Sequence, residues 1–225
     1  MYIPWSTPDT KKLEQLDFSE VFMVVDMQSQ LVRDFLNHWP HDRSMQFYEL
    51  LKANIMSQVE NTLNNNWVVI IVELVQYGTS IRELLDLVQR ESERVVFLRK
   101  NQESLISKKN SIAQLSDTQS ILNIVKNQQA SLTAGWINTS FCLLGSSVEI
   151  YDMWIQTRIP LRTTMNLTEH NFHNNNTFDK VKATFRNYGS GYEHLLDFEN
   201  MPNDLPLLTD YLEYENVNQR EEIKI

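Results

Sequence analysis

The chain has 225 residues, 42% of them apolar and 22% charged, with a formal net charge of −9 and a pI near 5.0. That length suits one full-sized domain with a core of its own. The acidic balance argues against nucleic acid or an anionic membrane surface as a partner, because both present phosphates that would repel the protein.

The opening stretch, MYIPWSTPDTKKLEQLD, shows no basic region followed by an apolar one, so no signal peptide is expected. The first predicted strand is VFMVVDM (21–27), and a helix follows over 44–63, with Phe47, Leu50, Leu51, Ile55, Val59 and Leu63 at near-helical spacing. WVVIIVEL (67–74) is the second strand. Its apolar run is interrupted by Glu73 and is too short to span a bilayer. TSIRELLDLVQRE (79–91) reads as a helix in which Ser80 stands three residues before Glu83, the pattern of a capping box. RVVFL (94–98) is the third strand, and residues 111–127 form the next helix, with Asp117 as a candidate N-cap. ASLTAG (130–135) is the fourth and weakest strand.

Past the cysteine, LLGSSVEIYDMWIQ (143–156) reads as a helix and IPLRTT (159–164) as a further strand. The asparagine-rich EHNFHNNNTF (169–178) is a surface loop, and a last helix is expected over about 178–188. The first three strands are continuously apolar rather than alternating, as in strands covered on both faces. Strand–helix alternation of this kind predicts a three-layer α/β/α fold with a mostly parallel, about six-stranded, Rossmann-like sheet. The domain is expected over 1–190, and the acidic stretch 191–225 as a peripheral or partly disordered extension.

In a parallel α/β sheet the ligand site lies outside the carboxyl ends of the strands. Three residues there draw attention: Asp26 at the end of the first strand, Lys100 after the third, and Cys142 at the start of the helix after the fourth. Taken singly they are bland, since a strand-end Asp is usually a loop anchor, a Lys is usually solvated, and a lone Cys is usually a small buried hydrophobe. Taken together they fit covalent acyl transfer. A helix N-terminus and a nearby ammonium both favour a thiolate, and a carboxylate can accept the thiol proton and return it to a leaving amine. The one cysteine of the chain allows no internal disulfide, which fits a reducing, cytoplasmic compartment.

These segments resemble the isochorismatase-like cysteine hydrolases. VFMVVDMQSQLV is similar to the family's opening strand, which ends in Asp, an apolar residue and Gln. VVFLRKNQES is similar to its second signature, an apolar strand, Lys, three residues and Ser, here Lys100 and Ser104. GWINTSFCLLGSS resembles its third signature, in which a Gly loop leads to Cys and then to a Thr-Ala pair, here Ser146–Ser147. VELVQYGTSIRELLDLV is similar to a subgroup with a strand ending in Glu before Tyr-Gly-Thr. The resemblance runs from about residue 18 to 165.

The resemblance implies a six-stranded parallel sheet between helix layers and hydrolysis of a C–N bond in a small amide or carbamoyl compound, such as nicotinamide, pyrazinamide, N-carbamoylsarcosine or ureidoacrylate. By position, Cys142 is the nucleophile, Asp26 the base and then the acid, and Lys100 the cation that stabilises the thiolate and orients Asp26. No cofactor is expected. Homodimers or higher homo-oligomers are common in the family. Two departures stand out. Cys142 falls seven residues after Gly135 where six is the usual amidase spacing, so alignment from the glycine puts Phe141 in its place. The segment from Lys100 to Gly135 also carries an insertion around SKKNSIAQ.

Metal-binding members use an Asp and histidines after the second strand. VELVQYGTS has none, and His38, His41, Asp42, His170 and His173 lie in other segments, so no metal is expected. Candidate substrate-binding residues are Gln28, Glu73, Tyr77, Trp136 and Phe141. Each has a structural alternative: Gln28 as a brace for a loop backbone, Trp136 as a core residue. A protein that keeps this fold to bind a ligand or partner without turnover is the rival reading.

Overall fold

The structure, a computed structural model, describes residues 10–37, 41–101, 105–137, 142–160, 164–165 and 192–197. Among the described residues seven parallel strands form the sheet: β1 (Glu20–Val25), β2 (Val68–Leu74), β3 (Val95–Lys100), β4 (Ser131–Ile137), β5 (Thr157–Pro160), β6 (Thr164–Met165) and β7 (Leu196–Asp197). Their order is β3-β2-β1-β4-β5-β7, with β6 continuing beside β4. The expected fold class is therefore observed, and two of the strands are two-residue pieces.

Six helices lie among the described residues: α1 (Thr10–Gln15), α2 (Ser29–Asn37), α3 (His41–Asn64), α4 (Arg82–Val88), α5 (Ile112–Asn127) and α6 (Leu144–Asp152). The apolar runs explain the layering. Every residue of β2 is buried and every residue of β1 after Glu20 is too, because both strands are covered on two faces. On one face Met23, Ile70, Val72 and Leu98 pack with Leu13 of α1, Ile121 and Leu122 of α5, and Val148 of α6. On the other, Phe22, Val24 and Ile71 pack with Leu51, Ile55 and Val59 of α3 and Leu84 of α4. β3 lies at the edge of the strand order, and its burial alternates accordingly.

The long central strands were legible in the sequence; several helix ends differ. Ser80 does not cap α4. The N-cap is Ile81, without a side-chain bond, because the Ser80 hydroxyl is committed to Glu73, 2.6 Å away. Asp117 lies inside α5, which Ser111 caps in a complete box with Gln114. α6 stops at Asp152, and Trp154 takes the left-handed φ of 68° that breaks the helix. The stretch expected as one strand over 159–164 holds the end of β5 and the first residue of β6. Residues 192–197, from the expected extension, end in β7, which pairs with β5, and Leu195 is fully buried. The expected helix over 178–188 and the rest of the acidic stretch lie outside the described residues. No described helix is long and apolar enough to cross a membrane.

Candidate active site

Strand order locates the site. After β1 the chain builds β2 and β3 on one side, then returns to lay β4 on the other side of β1. The crossovers leave in opposite directions at β1 and β4, which opens a crevice at their carboxyl ends. Asp26 follows β1 directly and Cys142 lies on the segment from β4 into α6, so both flank this point.

Lys100 meets Asp26 from β3. Its Nζ lies 2.8 Å from Asp26 Oδ2, and both side chains are 0% exposed. Simple strand alternation would not bring them together. Val96 and Leu98 place Lys100 on the α1/α5/α6 face, whereas Phe22 and Val24 would put Asp26 on the opposite one. The strand breaks its alternation at Asp26, whose φ is 61°. This left-handed conformation is uncommon for a residue with a Cβ, and Asp tolerates it better than most. Asp26 N–H still donates to Val72 O at 2.8 Å, and its carbonyl accepts from Gln28 N at 2.8 Å, so the turn is pinned on both sides. Among the described residues Asp26 Oδ1 has no hydrogen-bond partner, and the contact at Oδ2 is ionic rather than an aligned hydrogen bond.

Gln28 is wholly occupied. Its Nε2 donates to Leu74 O (2.9 Å) and Gly78 O (2.6 Å), and its Oε1 accepts from Leu74 N (2.8 Å). It is the loop brace of its two expected roles. Glu73 is 1% exposed. Its Oε1 accepts from Ser80 N (2.8 Å) and Ser80 Oγ (2.6 Å), while Oε2 is buried without a partner. Desolvation pushes its carboxyl above the ordinary glutamate value; the two Ser80 bonds and Arg99 oppose this, and the charge on Asp26 adds to it. Gln28 and Glu73 together fix the ends of the 75–79 loop, which carries half-buried Tyr77 in a 3₁₀ turn and turns at Gly78 with φ 76°.

Cys142 is half-buried and packs against the α1/α5/α6 core. It sits two residues before α6, in a π-helical turn that runs directly into that helix. Ser146 and Ser147, one turn on, are fully buried. The loop after Lys100 is latched to this helix. Asn110 accepts from Asn101 N (2.7 Å) and donates to Leu105 O (2.8 Å), and Ile106 N donates to Glu149 Oε2 of α6 at 3.2 Å. Sequence reading gave Ser80 a capping role instead and missed Asn110 and Glu149; a buried polar residue in a loop carries no periodic signal.

Trp136 lies in β4, paired with Thr164; its side chain, Phe141 and Ser104 lie outside the described residues. So do the side chains of His38, His41, Asp42, His170 and His173. Among the described residues no group of three or more His, Cys, Asp or Glu is arranged to hold a metal.

No family model and no curated protein sequence matches the chain. Solved structures do match it in fold. A nicotinamidase from Staphylococcus aureus superposes with a TM-score of 0.54 at 12% identity, over 75% of this chain and 94% of that one. The yeast nicotinamidase gives 0.53 at 10% identity, over 79% and 98%. The MAR1 ribonuclease from Caenorhabditis elegans gives 0.53 at 11% identity, over 75% of each. The likeness is one of fold.

Proposed function

We propose that this protein is a cysteine hydrolase that cleaves the C–N bond of a small amide or carbamoyl compound, with Cys142, Asp26 and Lys100 as its machinery. The buried Lys100–Asp26 pair at the β1/β4 crevice carries the reading. Holding two charges away from water costs several kcal/mol per ion, and stability alone gives little reason to put them at a ligand crevice beside a strained turn. The nicotinamidases that share the fold are amide hydrolases by name, which supports the same bond type here.

In this mechanism Asp26 takes the proton from Cys142 Sγ, and Lys100 compensates the charge of the thiolate and keeps Asp26 aimed at it. The thiolate adds to the substrate carbonyl. The oxyanion rests against backbone N–H groups at the α6 end, where the helix dipole favours negative charge. Protonated Asp26 passes its proton to the leaving nitrogen, the C–N bond breaks, and a thioester remains. Asp26 then deprotonates a water that attacks the thioester, releasing the acid and regenerating the thiol. The chain needs no cofactor for these steps.

The rival reading, a binding protein without turnover, draws on one observation: Asp26 and Lys100 have no exposed surface, so a substrate must approach through Cys142. A panel of primary amides and carbamoyl compounds separates the two. Ammonia release lost in Cys142→Ser supports the hydrolase. Saturable binding without release, or release that survives Cys142→Ser, contradicts it.

A further inference from the structure

The helix that follows Cys142 is held to the core by apolar side chains, Leu144, Val148 and Ile150 among them. Such burial is non-directional and does not fix how far a helix slides or rolls. A charge-assisted hydrogen bond does. Glu149, half-buried on α6, makes one across to the loop after Lys100, accepting the Ile106 N–H at Oε2, 3.2 Å away. It stands seven residues after Cys142, two turns on and so on the same side of the helix. Ile106 and Cys142 pack against the same core cluster.

The loop end of this bond is braced. Asn110, 6% exposed, accepts from Asn101 N and donates to Leu105 O, and its own N–H donates to Ser107 O at 2.9 Å. Asn101 exchanges amide hydrogen bonds with Gln114 at 2.9 and 3.2 Å, and Gln114 completes the α5 capping box. Ser107, Asn110 and Gln114 all belong to SKKNSIAQ, the stretch that departs from the family pattern. Asn101 follows Lys100 directly, so hydrogen bonds run from the end of β3 to α6.

We propose that Glu149 is a positioning residue which, with the SKKNSIAQ insertion as its anchor, sets where Cys142 stands relative to the Lys100–Asp26 pair. The proposal rests on the hydrolase reading, in which that spacing governs the thiolate. Without the bond α6 keeps its apolar packing but loses its fixed register, and the field of the ammonium at the thiol weakens with distance.

The rate of Cys142 alkylation by iodoacetamide against pH, measured on the full chain, tests it. Glu149→Ala should raise the inflection by about half a unit, or about threefold less thiolate well below it. Loss of a negative charge alone would lower the inflection, so a rise reports displacement of the thiol. Glu149→Gln keeps an acceptor at the same reach and should not raise it. No rise in Glu149→Ala, or an equal rise in Glu149→Gln, overturns the proposal. If Glu149→Ala does not fold, Glu149→Asp decides, since it keeps the charge and shortens the reach: a rise supports the proposal and no rise overturns it. A wild-type thiol with no inflection below about 8.5 sinks the hydrolase reading and this proposal with it, whereas a low inflection indifferent to Glu149 sinks the proposal alone.

Discussion

The two halves of the sheet are built differently, and the candidate site straddles them. From β1 toward β3 the strands pair over five and six registered residues, and the side chains at their ends are engaged: Asp26 with Lys100, Gln28 with the 75–79 loop, Glu73 with Ser80. From β4 outward, β5, β6 and β7 each contribute two registered pairs among the described residues. Asp26 and Lys100, the proposed base and its ammonium, stand on the first half, and Cys142, the proposed nucleophile, follows β4. This division suits a reaction that needs a fixed proton acceptor and an approach route for substrate.

The largest expected effect falls on the thiol side. Cys142→Ser should lower turnover by about 10⁴-fold or more while leaving the thermal midpoint nearly unchanged, since the side chain is only half-buried. A fall in stability as large as the fall in rate would make Cys142 a core residue. On the other half the order reverses, because the ion pair is structural as well as chemical. Asp26→Asn keeps a residue type suited to a positive φ yet takes from the buried Lys100 ammonium the carboxylate 2.8 Å away, at a cost of about 3–5 kcal/mol. Adding Lys100→Met should restore at least half of that stability but none of the activity. Denaturant unfolding of Asp26→Asn, Lys100→Met and the double variant measures this, and additive losses would contradict the pairing.

A smaller effect depends on pH. The Glu73 carboxyl is held above its ordinary value of 4.5, chiefly by desolvation, so the native state binds this proton more tightly than the unfolded chain does. Its contribution to stability is complete below that ordinary value and declines as pH rises through the native one. The thermal midpoint of the wild type should therefore fall relative to Glu73→Gln as pH rises from 4.5 upward. A difference that does not vary with pH would contradict the shift. Smallest of all, Ser111→Ala removes the α5 cap, which should cost about 1 kcal/mol and leave turnover unaffected.

The same contrast governs how much could be read from the sequence. β1, β2, α3 and α5 announce themselves, because burial on two faces demands unbroken apolar runs in strands and because long helices repeat their apolar positions. Asp26 and Lys100 stood out as polar residues ending such runs. The meeting of the two was not readable from alternation, since it depends on a positive φ at Asp26. Ser80 illustrates a second limit. Its spacing to Glu83 satisfies the capping-box pattern, yet the buried Glu73 competes for the same hydroxyl and wins, because an unpaired buried carboxylate costs more than an open helix end. Gln28 was equally suited to a substrate amide and to a loop backbone, and only coordinates could choose. Two-residue strands such as β6 and β7 are too short to carry any periodicity.

The central claim is that Cys142 works in one unit with Asp26 and Lys100. The rate of Cys142 alkylation against pH in the folded protein tests it most directly, with Lys100→Met and Asp26→Asn alongside. The account predicts an inflection below the free-thiol value of about 8.5, displaced by either substitution. A thiol that reacts only once the chain unfolds, or an inflection that neither substitution moves, would contradict it.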